Sequence, residues 1–295
     1  MQTPQIVVHQ PMLLGESPIW HPLEQVLYWV DIDGLAVHRY KPQGAVHDSW
    51  SMPSQPGCIA WCAEGGLLMA MRSGLARLDT TTGELAMMAA PPYDPATMRF
   101  NDGRCDSAGR FWTGAIYEPR DQVAAPLFVV ERGEIRDSGK RATVSNGMAF
   151  SPDGKVQYHS DTKAHRICAY DFDMATGTHG ETRLLHQFDD DKSAPDYGGR
   201  PDGAAVDAEG AYWCAMYEGA RLLRLSPAGD ILAEVPLPFR CPTMMAFGGT
   251  DLRTLYITSA RHGRPADEIA RYPLSGVLMS LPVDVPGLPE QPYFA

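Results

Sequence analysis

The sequence predicts an all-β protein, a six-bladed β-propeller whose N-terminal strand completes the last blade. Three observations predict it: a layout that recurs six times, hairpin turn chemistry inside the repeats, and a spare strand at the start that matches one missing at the end. The recurring starts are Glu16-Ser17-Pro18-Ile19-Trp20, Gly57-Cys58-Ile59-Ala60-Trp61, Asn101-Asp102-Gly103-Arg104-Cys105, Asn146-Gly147-Met148-Ala149-Phe150, Asp202-Gly203-Ala204-Ala205-Val206 and Thr243-Met244-Met245-Ala246-Phe247. Each is followed by a tight turn and a second short run rich in aromatic or β-branched residues, at 26–30, 67–70, 111–114, 156–160, 211–215 and 255–258. Successive starts lie roughly 41 to 56 positions apart, the period of propeller blades.

Residues 6–8, Ile-Val-Val, read as a lone strand before the first repeat. After Thr243 only three runs are strand-like, at 244–247, 255–258 and 276–281, so the last blade lacks one strand and the N-terminal run supplies it. Pairing first with last removes exposed sheet edges. Turns such as His21-Pro22, Asp106-Ser107-Ala108-Gly109, Ser151-Pro152-Asp153-Gly154 and Gly248-Gly249-Thr250 link the first two strands of their blades, and Thr82-Gly83, Thr176-Gly177 and Ala228-Gly229 link outer ones. No segment sustains a 3.6-residue apolar period long enough for a core helix, and no composition break divides the chain, so residues 1–295 are expected to form a single domain. The blade pattern puts the start of every inner strand on one face around the axis, with the loops between second and third strands. The longest spacing carries an insertion, 189–200, expected to overhang that mouth, with Asp189-Asp190-Asp191 as a solvated loop.

The net charge of -11 argues against nucleic acid or an anionic membrane as partner, since both select for excess Lys and Arg. No apolar run approaches a membrane span, and the start, Met1-Gln2-Thr3-Pro4-Gln5, has no basic and apolar leader pattern. Six scattered cysteines without a C-x-x-C pair read as reduced, buried and structural, which leads to a cytoplasmic expectation.

Glu16, Gly57, Asn101, Asn146, Asp202 and Thr243 occupy equivalent positions around the axis. Inner-strand starts that only build a core would not carry Glu, Asn, Asn and Asp at four of six such places. Two carboxylates and two amide carbonyls form an oxygen-only set suited to a hard divalent cation, Ca²⁺, Mg²⁺ or Mn²⁺. Without a cation the carboxylates would repel and one would tend to hold a proton. The competing reading makes them turn and cap residues bonded to local backbone.

Gly15-Glu16-Ser17-Pro18-x-Trp20, Arg99-Phe100-Asn101-Asp102-Gly103, Ser145-Asn146-Gly147 and Pro201-Asp202-Gly203 resemble the motifs of the family of regucalcin (senescence marker protein 30), gluconolactonases and related sugar lactonases. Tyr28-Trp29-Val30-Asp31-Ile32, Asp207-Ala208-Glu209-Gly210 and Phe247-Gly248-Gly249 support the resemblance, which runs from about residue 13 to 282. It implies a six-bladed propeller holding one divalent metal ion, with Glu16, Asn146 and Asp202 as ligands, Arg99 and Asn101 as substrate contacts, and Asp202 also as general base or acid. The family's acidic substrate contact follows the second strand of the third blade, where this chain reads Ile116-Tyr117-Glu118-Pro119-Arg120. Glu118 is the nearest acid, one position out of register, and stands as a candidate substrate contact. The implied partner is a small sugar lactone of the gluconolactone, xylonolactone or arabinonolactone type. Ca²⁺ is the first choice of cation, ahead of Mg²⁺, Mn²⁺, Zn²⁺ and Fe²⁺.

The alternatives are a hydrolase of other esters such as organophosphates, and a non-catalytic calcium-binding or regulatory propeller. The second has no use for an arginine beside its ligands. No G-x-S-x-G elbow, H-E-x-x-H or dinucleotide-binding glycine pattern is present. Asp31-Ile32-Asp33-Gly34 lacks the rest of an EF-hand and reads as a mouth loop. His165 and His262 read as exposed loop histidines, Tyr117 and Tyr217 as candidate pocket walls, and the fourteen methionines, Met87-Met88 and Met244-Met245 among them, as core filling.

Overall fold

Alternation decides the architecture. Along the second strand of blade two, Leu67 and Met69 pack toward blade one, whereas Leu68 and Ala70 pack toward blade three. A strand apolar on both faces must be covered on both, and radial stacking of sheets does this for every inner strand. The computed structural model, which describes residues 3–295, contains six four-stranded antiparallel sheets. Their innermost strands are Gly15–His21, Pro56–Trp61, Met98–Cys105, Ser145–Phe150, Arg200–Val206 and Pro242–Gly248. Each touches the next and the last touches the first, closing a six-bladed β-propeller.

The apolar interior is divided into six clusters, one in each gap between neighbouring blades. Trp20, Trp29 and Tyr256 join blade six to blade one, for example, and Phe100, Phe111 and Phe128 face Leu68 and Leu75 of blade two. The gap between blades three and four is the most polar. There Trp112 and Met148 share the interface with buried Gln157 and His159, and His159 Nε2 lies 2.6 Å from Ser145 Oγ.

The N-terminal strand, Gln5–Val8, pairs with Leu278–Pro282 at the outer edge of blade six, as the count of strand-like runs predicts. All six second strands fall where expected. The one helix among the described residues, Ala266–Arg271, buries none of its side chains, in keeping with the missing helical period. The last dozen residues do something the repeat does not foretell. Beyond Pro282 the chain crosses the face opposite the mouth, where Tyr293 N donates to Trp61 O, Phe294 N donates to Gly109 O, and Glu290 pairs with Arg104. Arg104 also donates to the Met148 and Ala204 carbonyls, so one side chain ties three inner strands to the tail.

Met244 and Met245 are fully buried, but Met87 and Met88 lie exposed on an outer strand, where nothing covers the outward face. All six cysteines are free and five are buried. Among the described residues no helix is long and apolar enough to cross a membrane.

Buried imidazoles give the fold a pH signature. His38, stacked on Trp29 and His47, and His159 are both almost wholly buried, and burial pushes each down to about 4 from 6.5. Between those values the unfolded chain binds the proton and the folded chain does not, so stability falls as pH drops from 6.5 toward 4. Each histidine accounts for about 3 kcal/mol over the full interval. Thermal unfolding at pH 7 and 4.5 is expected to show a smaller loss for His159→Gln than for the native chain; an equal loss would contradict this origin.

Candidate functional site

Every inner strand is irregular at the level of the mouth. Glu16 pairs with Val30 and Ile19 with Tyr28, so the inner strand fits one residue more than its partner into the interval. The same extra residue occurs between Pro56 and Cys58, Phe100 and Gly103, Asn146 and Ala149, Pro201 and Ala204, and Pro242 and Met245. A bulge breaks the strict alternation and re-aims side chains. Here it coincides in all six blades with the position that carries Glu16, Gly57, Asn101, Asn146, Asp202 or Thr243. The bulges in blades one and four place Ser17 and Gly147 at positive φ (47° and 61°). At Gly147 a side chain would also strike the Tyr212 hydroxyl, 2.2 Å from an added Cβ.

The chain entering two of these strands is pinned. Asp31, at the end of the second strand of blade one, accepts from Leu13 N and Leu14 N, both at 2.9 Å. Asp161 does the same in blade four, with Thr143 N at 2.9 Å and Val144 N at 3.1 Å. Glu16 and Asn146 lie two residues beyond the anchored Leu14 and Val144. Asp31 is thus occupied by backbone donors, and the 31–34 segment is the mouth loop that its incomplete EF-hand pattern predicts.

A cavity of about 110 Å³ opens at the mouth, lined among others by Glu16, Arg99, Asn101, Asn146, Thr162, Asp202 and Tyr217. The structure therefore brings together the three predicted ligands and both predicted arginine and asparagine contacts. Two ring positions do not contribute. Gly57 has no side chain, because the Phe100 carbonyl oxygen lies 2.2 Å from where its Cβ would be. Thr243 turns away and donates to Gly15 O, holding blade six against blade one.

Within the ring a directional relay runs through three blades. Arg99 Nη1 donates to Asn101 Oδ1 at 2.6 Å, Asn101 Nδ2 to Asn146 Oδ1 at 2.7 Å, and Asn146 Nδ2 to Asp202 Oδ1 at 2.5 Å. Asn146 Nδ2 also reaches Thr162 Oγ1 at 2.8 Å. Glu16 stands outside the relay, and its carboxylate accepts only from the Ser17 N–H. Both carboxylates are over nine-tenths buried, and neither forms an ion pair among the described residues. Burial pushes Asp202 up to about 8, despite opposing charge from Arg200 and Arg99. Burial first, then repulsion from Asp202 and Asp102, raises Glu16 well above the carboxylate range. Asp102 lies buried beneath, accepting from Gly103 N and Met148 N, and is pushed up to about 6.

This donor set fits a divalent cation. Two desolvated carboxylates that form no ion pair among the described residues, and an amide on the same ring, are what a hard cation requires. Asn146 meets that need with its amide turned by half a turn. The turn exchanges donor for acceptor at Thr162, which a hydroxyl accommodates, and gives up the bond from Asn101, whose Nδ2 keeps Ser145 O and whose Oδ1 keeps Arg99.

Glu118 is not in the cavity wall; it is half exposed at the rim, joined through both oxygens to Arg72. Tyr217 lines the cavity and Tyr117 does not. His165 is buried rather than exposed, its Nδ1 against the Asp189 carbonyl at 3.1 Å, whereas His262 is exposed and paired with Asp33. The insertion packs on the mouth face through Lys192 and Glu218, and Asp189, Asp190 and Asp191 are exposed. Thr162, Lys163, Arg120 and Arg200 line the cavity without having been singled out by the repeat. Arg200 directly precedes the marked Pro201-Asp202, and Arg120, Thr162 and Lys163 follow second strands, where the repeat puts the mouth loops; those places were the available signal.

A family model described as the SMP-30/Gluconolactonase/LRE-like region matches residues 14–261. A 6-deoxy-6-sulfogluconolactonase from Pseudomonas putida is 46% identical over 298 aligned positions, covering 100% of this chain and 99% of that one. Regucalcin from Xenopus laevis is 33% identical, covering 92% and 91%. Among solved structures, a calcium-binding protein, regucalcin, from Agrobacterium tumefaciens superposes with a TM-score of 0.92 at 28% identity, over 99% of both chains.

The raised carboxyls predict how the chelated protein responds to pH. Burial pushes the Asp202 carboxyl from its ordinary 3.8 up to about 8, so the stability its proton contributes is complete below 3.8 and is lost as pH rises to 8. Above pH 7 the buried histidines are neutral in both states and do not interfere. Thermal unfolding of chelated protein from pH 7 to 8, below the range where unfolded thiols ionise, is expected to show a falling Tm, flattened by Asp202→Asn and reversed by a divalent cation. A flat native profile would contradict the carboxylate assignment.

Proposed function

Because the chain belongs to the SMP-30/gluconolactonase/LRE-like family, we propose that it hydrolyses the ester bond of a sugar aldonolactone to the aldonic acid at the mouth of its channel. It is a carboxylic-ester hydrolase of the sugar-lactonase type, in line with the Pseudomonas putida relative. The observation that carries the reading is the pair of buried carboxylates, Glu16 and Asp202, on one ring with Asn146 and the Arg99–Asn101 relay. Glu16, Asn146 and Asp202 would hold one divalent cation, Ca²⁺ by preference for an all-oxygen set. When bound, the cation supplies Lewis acidity toward the lactone carbonyl.

The remaining chemistry falls to side chains. Asp202 takes a proton from the attacking water as the water oxygen bonds to the carbonyl carbon. It returns that proton to the ring oxygen as the ester C–O bond breaks, so no covalent intermediate with the protein is needed. A neutral, protonated Asp202 cannot act as base, which is a second reason for the site to need a cation. Arg99 spends Nη1 on Phe100 O and Asn101, leaving Nε and Nη2 with no hydrogen-bond acceptor among the described residues and available for substrate hydroxyls. Asn101 contacts the substrate and orients Asn146.

Proton release from D-glucono-1,5-lactone, D-xylonolactone and L-arabinonolactone, with chelated protein and single cations added back, tests the reading. Turnover is expected only with added cation, and Asp202→Ala is expected to lower kcat at least a hundredfold, the scale of general-base loss together with a lost ligand. Tight cation binding without turnover of any lactone would favour the binding propeller instead.

A further inference from the structure

The wall of the cavity reverses the charge balance of the chain. The whole sequence holds 25 Lys and Arg against 36 Asp and Glu, yet the lining holds four cations, Arg99, Arg120, Lys163 and Arg200, against the two carboxylates Glu16 and Asp202. A divalent ion between the carboxylates would neutralise them and leave four cations in a wall that holds no further carboxylate. Nothing in a neutral sugar lactone calls for that much positive charge, since hydroxyls are held by neutral donors and acceptors.

The cations are also unevenly placed. All four come from blades three, four and five, whereas blade one contributes only Leu14 and Glu16, and blades two and six contribute nothing to the wall. Arg120 and Lys163 occupy equivalent loops, each just after the second strand of its blade, Phe111–Tyr117 and Val156–Asp161. Both are exposed, and neither side chain has a hydrogen-bond or ion-pair partner among the described residues, although most arginines here are paired. Arg200 stacks on Tyr217, 5.1 Å from the ring centroid, and its sole carboxylate, Glu218 at 3.5 Å, is shared with Lys192 and Arg264 at 2.8 Å each.

We infer that Arg120, Lys163 and Arg200 form an anion subsite that selects lactones carrying a tetrahedral oxyanion, a sulfonate or a phosphate ester, at the end of the sugar remote from the lactone carbonyl. The inference rests on the lactonase reading and adds to it the class of substrate. The carboxylate made by ring opening forms beside Asp202, deep in the channel, and so cannot be what the exposed pair on the outer loops receives. Two guanidinium groups and an ammonium lining one cavity, from two loops and the start of an inner strand, suit a group with several equivalent acceptor oxygens. Being at the rim, they also steer an anion toward the mouth of a protein whose overall charge would repel it.

Steady-state hydrolysis of 6-deoxy-6-sulfogluconolactone, the corresponding 6-phosphorylated lactone and unsubstituted gluconolactone is the test, with the native protein, Arg120→Gln, Lys163→Gln and the double variant. Expected is a kcat/KM at least tenfold higher for one or both charged lactones, with their ranking separating sulfonate from phosphate. Each single variant should reduce that advantage about threefold through KM, and the double variant should bring the charged-to-neutral ratio toward one. Added salt should raise KM for the charged lactones more than for gluconolactone. Equal kcat/KM for charged and neutral lactones, or a preference that the double variant keeps, would overturn the subsite while leaving the lactonase reading intact. If none of the three is hydrolysed, the lactonase reading fails separately. Calorimetry with 6-deoxy-6-sulfogluconate and gluconate then decides the subsite: binding that needs both the sulfonate and the two cations upholds it, and equal heats overturn it.

Discussion

Two carboxylates that share one dry, narrow volume set the terms for this molecule. Glu16 and Asp202 come from blades one and five, and no local turn chemistry requires either of them. Burial works against their charge, and each sits in the other's field or in that of Asp102. Such a pair is tolerated only if it holds protons or a cation. The surroundings show preparation for the second: an amide on the same ring, a hydroxyl able to reverse its role at Thr162, and an arginine two residues before Asn101 that leaves donors unspent.

The scaffold explains why these groups meet. Six inter-blade cores fix the radial position of each sheet, and six coincident bulges turn one residue of each inner strand out of the alternation that packs its neighbours. Without the bulge, a residue at that level would face a neighbouring blade. Asp31 and Asp161 then hold the incoming chain by its own amides, so Glu16 and Asn146 are placed by backbone rather than by side-chain packing. At the other end of the channel, Arg104 and the C-terminal tail hold blades three, four and five together, the same three that supply the cations of the mouth.

Much of this was legible because it repeats. A residue type that returns at the same point of six similar segments can be read from letters alone, and the propeller, its closure and the ring of Glu16, Asn101, Asn146 and Asp202 all follow from that. What a repeat cannot show is where one copy departs from the others. Gly57 is bare because blade three's backbone crowds it, and Thr243 turns to a neighbouring carbonyl; both depend on contacts between blades. His165 reads as an exposed loop residue and is buried because the 189–200 insertion folds back over it. The tail has no counterpart in any blade, so the pattern says nothing about it. Glu118 illustrates the limit of matching by position: one residue of offset carries its carboxylate out of the wall and onto Arg72. Arg120 and Lys163 lie in loops of unrelated sequence, whose places the repeat marks without marking the residues that line the cavity.

The central claim is that Glu16, Asn146 and Asp202 share a divalent cation at the axis. Anomalous diffraction from crystals of chelated protein soaked in Mn²⁺ addresses it most directly, because manganese locates itself in the map without reference to activity. The account predicts one strong peak within about 2.4 Å of oxygens from all three side chains, with the Asn146 amide turned oxygen-first. A peak elsewhere, or none at concentrations that saturate binding in solution, would contradict it.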